Sequence, residues 1–168
     1  MIDYIRGLLN KYKQKGILID TNILLILFVG IVNPNRIPQF HRTKKFIPED
    51  YKLLSALLKN FSKIVVTPNI LTEVSNLIGN SNLKDPELSL CFDAISQAMN
   101  QLDEFYIESK VATKVEQFTK YGLTDCGIIS VARDSYLVLT DDFKLAGYLK
   151  KIGIDCINFD SIRIYGYK

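Results

Sequence analysis

Gly16-Ile17-Leu18-Ile19-Asp20-Thr21-Asn22-Ile23-Leu24 is the stretch whose reading decides the fold. Gly16 stops the segment before it, three apolar residues follow without alternation, and Asp-Thr-Asn then opens a longer apolar run. An unbroken apolar triplet describes a strand buried on both faces, the habit of parallel sheets. Asp, Thr and Asn accept hydrogen bonds from the free N–H groups of a first helical turn, so a helix follows, up to about Val32. A buried strand that runs straight into a helix is the opening of a βαβ unit.

The same alternation continues outward. Upstream, Ile2, Ile5, Leu8 and Leu9 give Ile2–Lys15 a helical spacing. Downstream, Asn33-Pro34-Asn35-Arg36-Ile37-Pro38 breaks the apolar helix, and a basic, proline-punctuated segment extends to Pro48. Pro48-Glu49-Asp50 opens a helix carrying Leu53, Leu54, Leu57 and Leu58 on one face. Lys63–Val66 is a second buried strand, Thr67-Pro68 starts the next helix, and Gly79-Asn80 closes it. Two further helices are predicted over Pro86 to about Asn100 and over Glu108–Tyr121, with a polar interval between. Gly122-Leu123-Thr124-Asp125 begins a short helix, Tyr136–Thr140 is a third strand, Asp142–Ile152 a helix ending at Gly153, and Ile154–Asn158 a fourth strand. This pattern predicts a three-layer α/β/α sandwich around a central parallel sheet of four or five strands, with Ile17–Asp20 in the middle. One domain over 1–168 is expected, with an N-terminal helix at about 1–15 and an inserted basic segment at about 33–48.

A chain of 168 residues buries a core of its own without staples. Its 48% hydrophobic and 23% charged residues exclude a disordered or fibrous protein. A net charge of +3 permits a polyanionic partner and identifies none. Cys91, Cys126 and Cys156 match no metal-binding spacing and read as buried, reduced thiols. Met1-Ile2-Asp3-Tyr4 lacks the charged-then-apolar order of a signal peptide, and the Ile23–Val32 run is about half of the roughly 20 residues a membrane span requires. A cytoplasmic protein with no membrane contact is expected.

The chemistry collects at strand ends. Asp20 follows the first strand, Thr67-Pro68 with Glu73 the second, and Thr140-Asp141-Asp142 the third. The carboxyl ends of parallel strands share one rim, where ligand sites gather, and Asp125 at a helix start can reach the same place. Carboxylates in one cleft repel and raise each other's pKa unless cations neutralise them; hard divalent ions suit that role. Two such ions roughly 3.5–4 Å apart can activate water and stabilise the leaving oxygen of a phosphodiester. Taken singly, each aspartate reads first as a helix cap. Glu73 is different: it lies inside its helix beside Ile70, Val74, Leu77 and Ile78, half-buried, and needs a partner. His41, Arg42, Lys44 and Lys45 form the densest basic cluster, read either as a solvated loop face or as a phosphate-holding patch. Tyr121 and Tyr136 have the chemistry to stack bases, although nine Phe and nine Tyr make core packing the default.

Taken in order, Ile19-Asp20-Thr21-Asn22-Ile23-Leu24, Thr67-Pro68-Asn69-Ile70-Leu71-Thr72-Glu73-Val74, Leu123-Thr124-Asp125 and Val138-Leu139-Thr140-Asp141-Asp142 resemble the four motifs of PIN domains. The resemblance spans Ile17 to about Asn158. It implies an Mg2+- or Mn2+-dependent ribonuclease in which Asp20, Glu73, Asp125 and Asp142 are catalytic metal ligands, with Asp141 sharing the last role or binding outer-shell water. Thr21, Asn22 and Thr140 would orient those carboxylates, and Arg42, Lys44 and Lys45 would contact substrate. RNA is the implied partner; a cognate antitoxin and a homodimer stay open. Two alternatives share the fold: a non-catalytic PIN-like module for RNA binding or assembly, and a structure-specific DNA nuclease, for which no helical arch or DNA-clamping segment is legible. Receiver domains and haloacid-type phosphatases fall behind, because Asn22 stands where the latter need a second acid.

Overall fold

A computed structural model describes residues 2–133 and 135–166; Met1, Asp134, Tyr167 and Lys168 lie outside it, including the first residue of the expected N-terminal helix. Helix α1 (Ile2–Tyr12) ends before Gly16, whose φ of 110° only glycine adopts freely. A β-carbon there would also stand 3.0 Å from that of Lys63. The turn therefore delivers the chain directly into β1 (Ile17–Ile19), every residue of which is buried.

β1 pairs in parallel with β2 (Ile64–Val66) on one side and β4 (Leu137–Thr140) on the other. Outside these lie β3 (Asp103–Glu104) and β5 (Cys156–Asn158), giving one all-parallel sheet in the order β3-β2-β1-β4-β5. The expected sandwich and the central position of the first strand are both present. The chain winds outward from β1 through β2 to β3, then crosses back to the opposite side for β4 and β5. The order reverses beside β1, so a crevice opens at the carboxyl ends of β1 and β4, the usual ligand position in such sheets.

Helix α2 (Thr21–Val32) is apolar all round, and eight of its residues are buried, because it is covered by α3 (Pro48–Leu58), α4 (Pro68–Gly79), α5 (Glu87–Ala98) and the 3-10 segment Pro34–Gln39. Gly30 is the point of closest approach: a β-carbon there would run into the Tyr51 ring of α3. No helix among the described residues is long and apolar enough to cross a membrane. All three cysteines are free and buried, as expected.

Three stretches depart from the sequence reading. The polar interval after α5 contains β3, a two-residue exposed edge strand with no apolar signal. The helix expected over Glu108–Tyr121 does not form as one element: α6 (Ser109–Ala112) is a single turn, and α7 (Phe118–Ala132) follows. The Thr113 hydroxyl bonds back to the Lys110 carbonyl, a local alternative to the helical ladder. The short helix expected from Gly122 is instead the main part of α7, which bends at Gly122 (φ 74°, ψ −173°). Beyond β4, α8 (Phe143–Lys151) lies close to its expected bounds, and α9 (Phe159–Gly166) follows β5.

Candidate functional site

Asp20 is one of two buried carboxylates of the crevice, with Asp141. Its backbone N–H still extends the β1–β4 ladder to the Leu139 carbonyl at 3.0 Å, while its side chain caps α2, accepting from Thr21 N at 2.6 Å. Its second oxygen accepts from the Thr140 hydroxyl at 2.6 Å. Burial pushes its carboxyl up to about 6; the Thr140 bond opposes this, and the nearby charges of Asp141 and Glu73 add to it.

Glu73, on α4, turns toward the start of α2. One oxygen accepts from the Thr21 hydroxyl at 3.0 Å, and the other pairs with Arg42 at 3.1 Å. Its half-burial and its need for a partner are as the helical stripe indicates. Asp125 sits on the first turn after the Gly122 bend, half-buried, with no hydrogen bond or ion pair among the described residues. Burial first, then the charges of Asp20, Asp142 and Glu73, push its carboxyl up to about 7, with Arg42 acting the other way. Asp20, Glu73 and Asp142, from different helix starts or faces, thus all come within electrostatic range of Asp125.

The adjacent pair Asp141 and Asp142 divide their tasks. Asp142 is exposed and caps α8, accepting from Lys144 N at 2.6 Å and Leu145 N at 3.1 Å. Asp141 is buried, takes the Asn22 amide at 3.0 Å on one oxygen and pairs through the other with Lys45 at 3.0 Å. Thr21, Asn22 and Thr140 each hold a carboxylate of this crevice: Glu73, Asp141 and Asp20 respectively.

The basic segment folds over the acidic rim. Arg42 and Lys45 pair with Glu73 and Asp141, and Lys45 also meets Asp160 of α9 at 2.7 Å. Lys44 and His41 are exposed. Half of the cluster is thus neither a plain solvated loop nor an open phosphate patch but the counter-charge of the carboxylates. Its partners are distant in sequence, so no local signal announced them. Tyr121 is taken up by a ring contact with Tyr148 at 5.3 Å and by its hydroxyl on the Lys144 carbonyl; Tyr136 packs edge-on to Phe105.

Comparison with protein-family models, curated proteins and solved structures returns no match to this chain. The site therefore stands on its own chemistry. A hard divalent cation suits the donors: all are carboxylate oxygens, two of the carboxyls are destabilised as anions, and the Asn22 Oδ1 is buried with no hydrogen-bond partner among the described residues. Among the described residues, however, no three Asp, Glu, His or Cys side chains stand together as a ready ligand set. Asp20, Glu73, Asp141 and Asp142 have each settled on a hydroxyl, an amide, a helix start or a cation, whereas Asp125 has no such bond among the described residues.

Proposed function

We propose that this chain is a metal-dependent ribonuclease of the PIN kind that hydrolyses RNA phosphodiester bonds at the β1–β4 crevice. The observation that carries the reading is Asp125: a carboxyl with no hydrogen bond or ion pair among the described residues, pushed up to about 7 by burial and by Asp20, Asp142 and Glu73. A set of mutually repelling carboxylates costs stability, and cation binding relieves that cost.

In this reading Asp20, Glu73, Asp125 and Asp142 would hold Mg2+ or Mn2+, and Asp141 would share the last role or bind outer-shell water. When bound, such ions lower the pKa of water and offset charge at phosphorus. Thr140 and the Thr21 N–H fix the Asp20 carboxylate so that it does not swing away from the crevice. Arg42, exchanging Glu73 for a phosphate, orients the strand. Water attacks phosphorus, one bridging P–O bond breaks, a carboxylate takes the proton of the water, and the leaving oxygen is protonated from solvent.

A non-catalytic RNA-binding module is the second reading, favoured by the Arg42–Glu73 and Lys45–Asp141 pairs, which already neutralise two of the acids. One paired experiment separates them: RNA cleavage with and without chelator, and melting with and without manganese, for wild type and Asp20→Asn. Cleavage is expected to need metal and to fall by at least about 10²-fold in Asp20→Asn, with loss of the manganese-induced rise in Tm. Chelator-resistant cleavage, or full activity of Asp20→Asn, would overturn the metal-carboxylate reading.

A further inference from the structure

Beside the acidic crevice lies a second cavity, about 390 Å³, between the basic segment and the C-terminal half of α4. That volume is in the roughly 300–1,000 Å³ range of small-ligand sites. Its lining includes the buried side chains of Phe40 and Leu83, the half-buried Leu77, and three exposed asparagines, Asn76, Asn80 and Asn82. Those three amides make no hydrogen bond among the described residues. Arg42, Glu73 and Asn76 line both this cavity and the cleft, about 590 Å³, that holds Asp125. The two spaces are neighbours across the Arg42–Glu73 pair.

We propose that this cavity is a nucleobase subsite, which takes the base of the nucleotide whose phosphate lies at Arg42 and so gives the proposed nuclease its choice of cutting position. The inference rests on the ribonuclease reading for its role and on the cavity for its chemistry. A base has an apolar face and a neutral edge of donors and acceptors. The apolar part of the lining accepts the face, and unengaged amides, each with two donors and an acceptor, read the edge. A purely aliphatic ligand would make no use of the three amides, which a base edge can match donor for acceptor. The cation at the shared border fits the strand direction: base in one cavity, phosphate at Arg42, the next linkage over the carboxylates. Single-stranded nucleic acid is required, because a paired base cannot turn its edge into a pocket.

The test does not depend on cleavage. The side-chain amide resonances of the full chain, labelled with 15N, are followed while each of the four nucleoside 5′-monophosphates, and ribose 5-phosphate as control, is added. One or two of the nucleotides are expected to shift Asn76, Asn80 and Asn82 saturably, at least about tenfold more tightly than ribose 5-phosphate. Asn80→Leu, an exposed change in the lining, is expected to remove that preference while leaving Tm unchanged. A trinucleotide carrying the preferred base should bind more tightly than the mononucleotide, since it adds phosphate contacts; equal affinity would overturn the strand assignment in favour of a free nucleotide. Equal shifts with all four nucleotides and with ribose 5-phosphate, or none, would overturn the base subsite whether or not the protein cleaves RNA. Base preference in a protein that never cleaves would keep the subsite and discard the nuclease.

Discussion

At the scale of single residues, the decisive fact is that the buried Asp20 carboxyl has two hydrogen-bond donors and, among the described residues, no ion pair. Its folded-state value of about 6, and about 7 for Asp125, lie above the ordinary 3.8. Between pH 4 and 7 the native protein therefore holds more protons than the unfolded chain, so stability falls as pH rises through that window. For metal-free protein, chemical denaturation at pH 5 and pH 8 is expected to show a loss of roughly 1.5 kcal/mol from Asp20 alone, since each pH unit over which the folded state keeps the extra proton is worth about 1.4 kcal/mol. Asp125 adds to the loss in the same direction. Asp20→Asn should flatten the profile and be the more stable protein at pH 8: its amide oxygen still accepts from Thr21 N, and its NH2 can donate to the Thr140 hydroxyl. A wild type whose stability rises from pH 5 to pH 8 would contradict this placement of the charge.

Elements set the direction in which the acids point, and α7 shows how. Gly122 adopts a φ of 74° with ψ of −173°, a region essentially reserved for glycine. No atom stands within 4 Å of a β-carbon built there, so any cost of Gly122→Ala comes from the backbone and not from a clash. The expected loss is about 1–3 kcal/mol of stability, with Asp125 displaced because the bend lies one turn before it. Calorimetry and the pH profile together check this: a destabilised protein whose Asp125 still titrates near 7 would mean that the bend does not aim the carboxylate. The caps of α2 and α8 work more simply. Asp20 and Asp142 stay at the rim because their oxygens satisfy first-turn N–H groups.

Across the whole molecule, long-range ion pairs close the basic segment and the C-terminal helix onto the sheet. Asp50 is completely buried, caps α3 through Ile47 N and meets Arg163 at 2.6 Å; Arg163 also reaches Asp160 and the Lys45 carbonyl. Arg163→Ala removes charge-assisted bonds worth roughly 1.5–3 kcal/mol, and it should also loosen Lys45 from Asp141, seen as faster amide exchange over residues 40–47. Protection unchanged there would show that the segment is held by Phe46 and its packing on Phe159 instead. For RNA, replacing Arg42, Lys44 and Lys45 by Gln is expected to weaken binding and to lower the slope of log K against log salt by about 0.7 for each phosphate that the protein no longer touches. An unchanged slope would leave these cations to the internal pairs alone.

The sequence alone determined the parallel α/β sandwich, the central place of Ile17–Ile19, and the positions of Asp20, Glu73, Asp125 and Asp142 at helix starts or on a half-buried face. Those features rest on short-range causes: unbroken apolar runs, capping residues and prolines act on their immediate neighbours, so they are legible in one chain. Only the tertiary structure decided that Asp103–Glu104 pairs with Val65 and Val66 as an edge strand, that Arg42 and Lys45 answer Glu73 and Asp141, and that Asn22 and Thr140 divide their bonds between Asp141 and Asp20. These contacts join residues far apart in the chain and form only once the strand order reverses beside β1. The burial and, after it, the repulsion that raise Asp20 and Asp125 belong to the same class, since a charge responds to what surrounds it in space and its sequence neighbours do not say what that will be.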